Sequence, residues 1–259
     1  MPDLEPIDVG SRYDLRSARS PNAPDTSDFE KLASTVGWVH SYETGSTVDG
    51  PGVRITLFMS GCLLRCQFCH NPDTWHLKDG RRVELAQAVQ RLGDFAPMLR
   101  AMGGGLTISG GEPLVQIGFT ETAGFLGARA DDAYLANLDL VILDIKSGDP
   151  ETYRKLTGKE LAPTLRFAER LNAMGKPVWV RFVLVPGLTD APDNVEKVAR
   201  FVGPMKNVEW VEVLPFHQMG AFKWKSLGID YPLDHMDPPS EAQVKMALDI
   251  FRQAGCKAR

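Results

Sequence analysis

The sequence predicts an α/β protein: a parallel sheet with right-handed crossovers, closed or partly closed as a barrel. Three observations carry this expectation. Short apolar, β-branched runs alternate with stretches of helical period along most of the chain. The runs are nearly continuous in apolar character, as at residues 53–60 (Val-Arg-Ile-Thr-Leu-Phe-Met-Ser), which suits strands buried on both faces. The glycine-rich, thiol-bearing and ionisable residues fall just beyond the C-terminal ends of these runs, the rim where parallel barrels build their sites.

Residues 1–35, rich in Pro, Asp, Ser and Arg and without a sustained period, read as a poorly ordered N-terminal extension with a turn of helix possible at 28–32; residues 36–259 form the one domain. Residues 37–42 lead in as a short strand. Residues 43–52, Gly-rich and broken by Pro51, form a loop before the strand at 53–60. Val83, Leu85, Val89, Leu92, Phe95, Met98 and Leu99 recur at helical spacing and predict one helix, ended at Gly103-Gly-Gly105. Residues 106–109 are the next strand, running into Gly110-Gly111-Glu112-Pro113. Strands follow at 138–145, 177–185 and 207–214, with helices at 163–174 (closed by Gly175) and 193–202 (capped by Asp193, with Glu196 three residues on). Ser240-Glu-Ala-Gln243 is a capping box for a last helix with Val244, Ala247, Leu248 and Phe251 on its inner face.

At 259 residues and 43% hydrophobic the chain has ample material for a core. A net charge of -4 with no basic stripe argues against a nucleic-acid partner, and no apolar run nears the ~20 residues that span a bilayer. The start of the chain lacks a signal-peptide core, so a cytoplasmic protein is expected. Three of the four cysteines crowd into Cys62-x-x-x-Cys66-x-x-Cys69, which in a reducing compartment reads as metal-binding or catalytic; Cys256 reads as a bystander. A structural zinc ion takes four ligands and a cubane iron–sulfur cluster normally four thiolates, so three thiols leave one position open. Asp144 and Lys146 lie two apart on a strand and so share a face, Arg181 is an interior cation suited to a carboxylate partner, and Trp75 and His76 are cover for the cysteine loop.

Cys62-x-x-x-Cys66-x-Phe68-Cys69-His70 resembles the radical S-adenosylmethionine superfamily. Thr47-Val-Asp49-Gly-Pro-Gly-Val-Arg54, Gly103-Gly-Gly-x-Thr-x-Ser-Gly-Gly-Glu112, Leu143-Asp-Ile-Lys146, Val183-Leu-Val-Pro-Gly187 and Leu214-Pro-Phe-His-x-x-Gly220 narrow the resemblance to the pyruvate formate-lyase activating enzymes. The resemblance runs from about Gly37 to the C-terminus. It implies a partial (β/α) barrel of the radical S-adenosylmethionine type, with a [4Fe-4S] cluster on Cys62, Cys66 and Cys69 whose fourth iron binds S-adenosylmethionine. It further implies cofactor contacts from Phe68, Cys69, His70, Gly110, Gly111, Glu112, Asp144, Ile145, Lys146, Arg181 and His217, and a hold on the partner's peptide from Asp49. The implied activity is reductive cleavage of the sulfonium and abstraction of a hydrogen atom from a glycine of pyruvate formate-lyase, the electron coming from a low-potential donor such as flavodoxin or ferredoxin.

One departure from the family stands out. Between Glu112 and Asp144 the family places a helix and a further strand before a turn that Glu121-Thr122 would supply here, and residues 113–120 cannot hold both. One βα unit is therefore expected to be missing, so that the barrel closes with one strand fewer or two strand edges stand bare. Two rivals follow: an activase of another glycyl radical enzyme, and a degenerate, non-catalytic iron–sulfur or zinc-binding relative, the latter using His70 as a fourth ligand.

Overall fold

The computed structural model describes residues 35–116 and 126–259. The extension expected before Thr35, with its helical turn at 28–32, and the segment around Glu121 and Thr122 lie outside those residues. Strands β1 (Val36–Ser46), β2 (Arg54–Met59), β3 (Arg81–Glu84) and β4 (Gly105–Gly110) form one sheet in the order β3-β1-β2-β4. Strands β5 (Val141–Asp144), β6 (Val178–Leu184) and β7 (Val208–Pro215) form a second, in chain order. The pairs β2–β4, β5–β6 and β6–β7 are parallel, as the apolar runs predict. β1 differs: it is longer than the expected lead-in and runs antiparallel to both β2 and β3. The Gly/Pro loop between β1 and β2 reverses the chain directly, and two breaks in register bend β1 around the sheet.

The expected single helix over 83–99 is three elements. Residues 81–84 extend as β3, and the helical remainder divides into α1 (Leu85–Gly93) and α2 (Ala96–Ala101). Pro97, which has no N–H to give an interior turn, sits in the first turn of α2, where none is required. A short α3 (Asp132–Ala136) is capped by Asp131, whose side chain accepts from the Tyr134 amide. Helix α4 (Pro150–Thr157) is capped by Asp149 and closed by Gly158 in the left-handed region, and α5 (Ala162–Ala173) precedes β6.

Helix α6 (Pro192–Val202) corrects the expected cap: Ala191 holds that position, and Asp193 instead pairs with Lys197. The polar fixing of this end comes from buried Asn194. Its Oδ1 accepts from Ser147 Oγ and from the Gly148 and Asp149 amides, and its Nδ2 donates to the Thr189 carbonyl. Helices α7 (Ala221–Ser226) and α8 (Glu241–Gln253) complete the chain, the second with both halves of the Ser240/Gln243 capping box formed.

The main core lies between the second sheet and α5, α6 and α8, where Leu143, Val180, Phe182, Phe167, Val198 and Phe251 are buried. Of the predicted inner face of α8, Ala247 and Phe251 are buried, with Val244 and Leu248 packed at the edge of the same core. Among the described residues no strand joins β4 to β5, and the two sheets are separate there. A cleft of about 400 Å³ is lined by residues of both edges.

Candidate active site at the cysteine loop

The loop after β2 is stitched to its surroundings by backbone hydrogen bonds. The Gly61 and Cys62 amides donate to the Thr74 and Trp75 carbonyls, and those of Arg65 and Gln67 to Thr157 and Leu156 at the end of α4. Gly111 lies so close to Gly61 that an added Cβ would stand 2.3 Å from the Gly61 carbonyl oxygen. The Glu112 amide donates to that same oxygen at 2.7 Å. The end of β4 thereby fixes the start of the thiol loop, which is the physical requirement for two adjacent glycines here.

Burial pushes the Cys66 thiol up to about 12, against the pull of the Lys146 ammonium, and that of Cys62 up to about 11. Burial also raises Cys69. A metal bound here would have to displace the protons of these thiols, so binding would release protons. A single zinc ion would need its sulfur ligands about 2.3 Å from one point. Among the described residues no three His, Cys, Asp or Glu side chains converge in that way. Three thiols on one loop that line a single cavity are the donor chemistry an iron–sulfur cluster takes, and in that respect the set fits.

The three cysteines, Phe68, His70, Gly110, Gly111, Glu112, Asp144, Lys146, Arg181, His217 and Asp49 line one cavity of about 470 Å³. That volume is in the range of sites for drug-sized ligands. Lys146 lies 3.2 Å from Asp144 and over the Phe68 ring. Burial alone would lower the Lys146 pKa, but the Asp144 carboxylate and Cys66 outweigh it and hold the ammonium charged. Arg181 reaches Glu212 at 3.0 Å and Asp49 at 3.6 Å, and donates to the Val48 carbonyl. The Asp49 carboxylate also accepts from Ser46 and Thr56, so it is held from three sides. The His70 and His217 rings stand 4.3 Å apart, and burial followed by the His70 charge lowers the His217 pKa.

Residues 48–128 match the family model described as a 4Fe-4S single cluster domain. The pyruvate formate-lyase-activating enzyme of Staphylococcus epidermidis is 42% identical, the match covering 82% of this chain and 93% of the relative. The enzyme of the same name from Listeria monocytogenes is 40% identical over 87% of this chain and 100% of its own. The chain belongs to the pyruvate formate-lyase-activating enzyme family. Among solved structures, a radical SAM methyltransferase from Sphaerobacter thermophilus superposes with a TM-score of 0.53 at 18% identity, covering 92% of this chain and 82% of the other. That is a likeness of fold.

The Listeria match is 249 positions long and takes in 87% of the 259 residues, about 225, so this family member is about 24 positions shorter over that span, close to one mean helix plus one mean strand with their connections. Of the residues given a cluster, cofactor or peptide contact by the resemblance, Ile145 alone is not in the cavity lining: it is fully buried in the main core. Asp144 and Lys146 do share one side, as strand alternation requires. Trp75 covers the loop as expected, with Arg65 over its ring, and Cys256 packs against the main core. Sequence reasoning missed Trp224, whose Nε1 donates to the Cys69 carbonyl at 2.8 Å and whose ring meets Trp75 edge-on. It also missed Lys223, which holds Asn71 and Asp73 beside the loop, and Glu212, the partner of Arg181. Gly220 was the nearest available signal, since an added Cβ there would strike the His70 backbone.

Proposed function

We propose that this chain activates pyruvate formate-lyase under anaerobic conditions by installing a glycyl radical, with a [4Fe-4S] cluster on Cys62, Cys66 and Cys69 and S-adenosylmethionine as cofactors. The observation that carries this reading is the convergence of the three-thiol loop, Gly110-Gly111-Glu112, Lys146 and His217 on a single cavity. When bound, the reduced cluster and S-adenosylmethionine together supply a 5′-deoxyadenosyl radical that takes a hydrogen atom from a glycine α-carbon.

The chain's own residues prepare that event. The Lys146 ammonium, kept charged by Asp144, offsets the negative charge that three thiolates bring together. Gly110 and Gly111 leave backbone groups bare at the cavity wall, where an amino acid's ammonium can approach. Buried Phe68 and Phe216, together with Trp224, keep water from the loop. Arg181 and Asp49, paired where the cavity and the neighbouring cleft share their lining, would meet the partner's peptide. The electron comes from a low-potential protein such as flavodoxin or ferredoxin in the cytoplasm. Pyruvate formate-lyase is favoured over other glycyl radical enzymes because only Cys256 of this sequence is left over for any second cluster, and it packs against the main core away from the thiol loop.

The test is anaerobic reconstitution followed by incubation with reductant, S-adenosylmethionine and pyruvate formate-lyase. 5′-Deoxyadenosine together with a glycyl radical signal on the partner supports the reading. 5′-Deoxyadenosine without a radical on that partner overturns the assignment of partner, and absence of both overturns the activity.

A further inference from the structure

We infer that the cleft between β4 and β5 is a slot for one extended strand, and that its occupant is the glycine-bearing segment of the protein substrate. This rests on the activase reading and says where that substrate is held.

The backbone directions follow from the pairing already described. The Gly105 and Gly111 amides donate toward β2, so in β4 the odd residues face β2 and the amides and carbonyls of Leu106, Ile108 and Gly110 face away from it. The Val141 and Ile145 amides donate to the Pro177 and Arg181 carbonyls on the β6 side, so in β5 Ile142 and Asp144 face away from β6. Both outward sets border the one cleft of about 400 Å³. Among the described residues no strand pairs with either edge. The contrast with β7 is direct, because its outer edge is covered by the end of the chain, where Val211 exchanges hydrogen bonds with Lys257 and Arg259.

A bare parallel edge is a template for another strand, and two facing edges are a template on both sides. One end of the slot is already closed, since Arg54 folds over Gly105 and donates to the outward Leu106 carbonyl. The other end opens into the thiol cavity, with which the cleft shares Ser109, Gly110, Gly111, Asp144, Arg181 and Asp49. The reaction's target is a carbon of a polypeptide backbone, and a glycine held in extended backbone carries no side chain over its α-hydrogens. A backbone held in the slot would be delivered to the cavity from the side, paired through its own N–H and C=O groups.

The experiment uses the full, reconstituted chain and a nine-residue peptide centred on the target glycine of pyruvate formate-lyase, followed by amide hydrogen exchange. Ile108, Ile142 and Asp144 amides should exchange fast without peptide and at least tenfold more slowly with it. Thr107, Ser109 and Leu143, already paired to β2 and β6, should not change. Because both sides of the peptide are paired, N-methylation of any one of several consecutive peptide amides should weaken binding at least tenfold, rather than only alternate ones. Ile142→Pro should do the same from the protein side; if circular dichroism shows that this variant does not fold, the N-methyl series carries the test. Binding without slowing at Ile108 and Ile142, or no binding at millimolar peptide, overturns the slot. So does protection already present in the peptide-free chain, or protection that rises with the chain's own concentration, since these mean that the chain itself or a second copy fills it. Failure to cleave S-adenosylmethionine overturns the activase reading separately, and the amides still decide the slot.

Discussion

Glu212→Gln should destabilise the chain more than its place outside the thiol loop suggests. Glu212 is 9% exposed in the middle of β7 and accepts from Arg181 at 3.0 Å with one oxygen and from Arg259 at 2.7 Å with the other. Removing one charge of a buried pair costs about 3–5 kcal/mol when the other is left uncompensated. Arg181 keeps Asp49 at 3.6 Å and the Val48 carbonyl, and Arg259 is half exposed, so the full figure does not apply. About 2–3 kcal/mol remains, which for a chain of this size is a fall in Tm of roughly 4–12 °C. Arg259→Ala removes the outer partner and its stacking between Trp179 and Trp210, and should cost about 1–2 kcal/mol. The double variant should fall short of the sum by about 0.5 kcal/mol or more, because the two residues share one carboxylate. Thermal melts followed by circular dichroism measure all three. A Glu212→Gln melt within about 1 °C of the parent would refute the network as described.

Other perturbations read other parts of the account. Gly111→Ala should push the thiol loop off β4, because the added Cβ meets the Gly61 carbonyl at 2.3 Å; iron bound per chain after reconstitution should drop while the far-ultraviolet spectrum is kept. Asn194→Ala leaves the Gly148 amide without its acceptor and takes one of two acceptors from Ser147 Oγ and from the Asp149 amide, and should cost about 1–3 kcal/mol in urea unfolding. The cluster-free chain should lose stability in alkali. Folding raises Cys62 to about 11 and Cys66 to about 12, so this contribution is complete below the ordinary thiol value of about 8.5 and disappears as pH climbs through the folded values. A urea midpoint that is unchanged from pH 8 to 10.5 would contradict it.

The parallel strands and the cysteine loop were legible because each rests on local pattern. Continuous β-branched runs make buried strands, and three thiols within eight positions are conspicuous in any composition. Elements that depend on distant partners were less so. The direction of β1 is set by which edge it finds, and the division of α1 from α2 by a proline that only the three-dimensional turn makes decisive. Asn194 shows the limit most plainly: beside a conventional cap candidate at Asp193, it gains its importance from Ser147 and Thr189, neither next to it in the helix. The resemblance gives Ile145 a cofactor contact beside Asp144 and Lys146, while strand alternation turns its side chain to the core. The shortage between Glu112 and Asp144 could be counted from length alone, whereas the lack of a paired strand on the outer side of β4 and β5 among the described residues needed the pairing.

The account turns on three sulfurs leaving one iron corner to a small molecule. Electron paramagnetic resonance of the reduced, anaerobically reconstituted chain, recorded before and after adding S-adenosylmethionine, reads that corner directly. The spectrum should be that of a [4Fe-4S]⁺ cluster and should change shape on addition of S-adenosylmethionine. A spectrum that S-adenosylmethionine leaves untouched, or a chain that takes up stoichiometric zinc and no cluster, would contradict it.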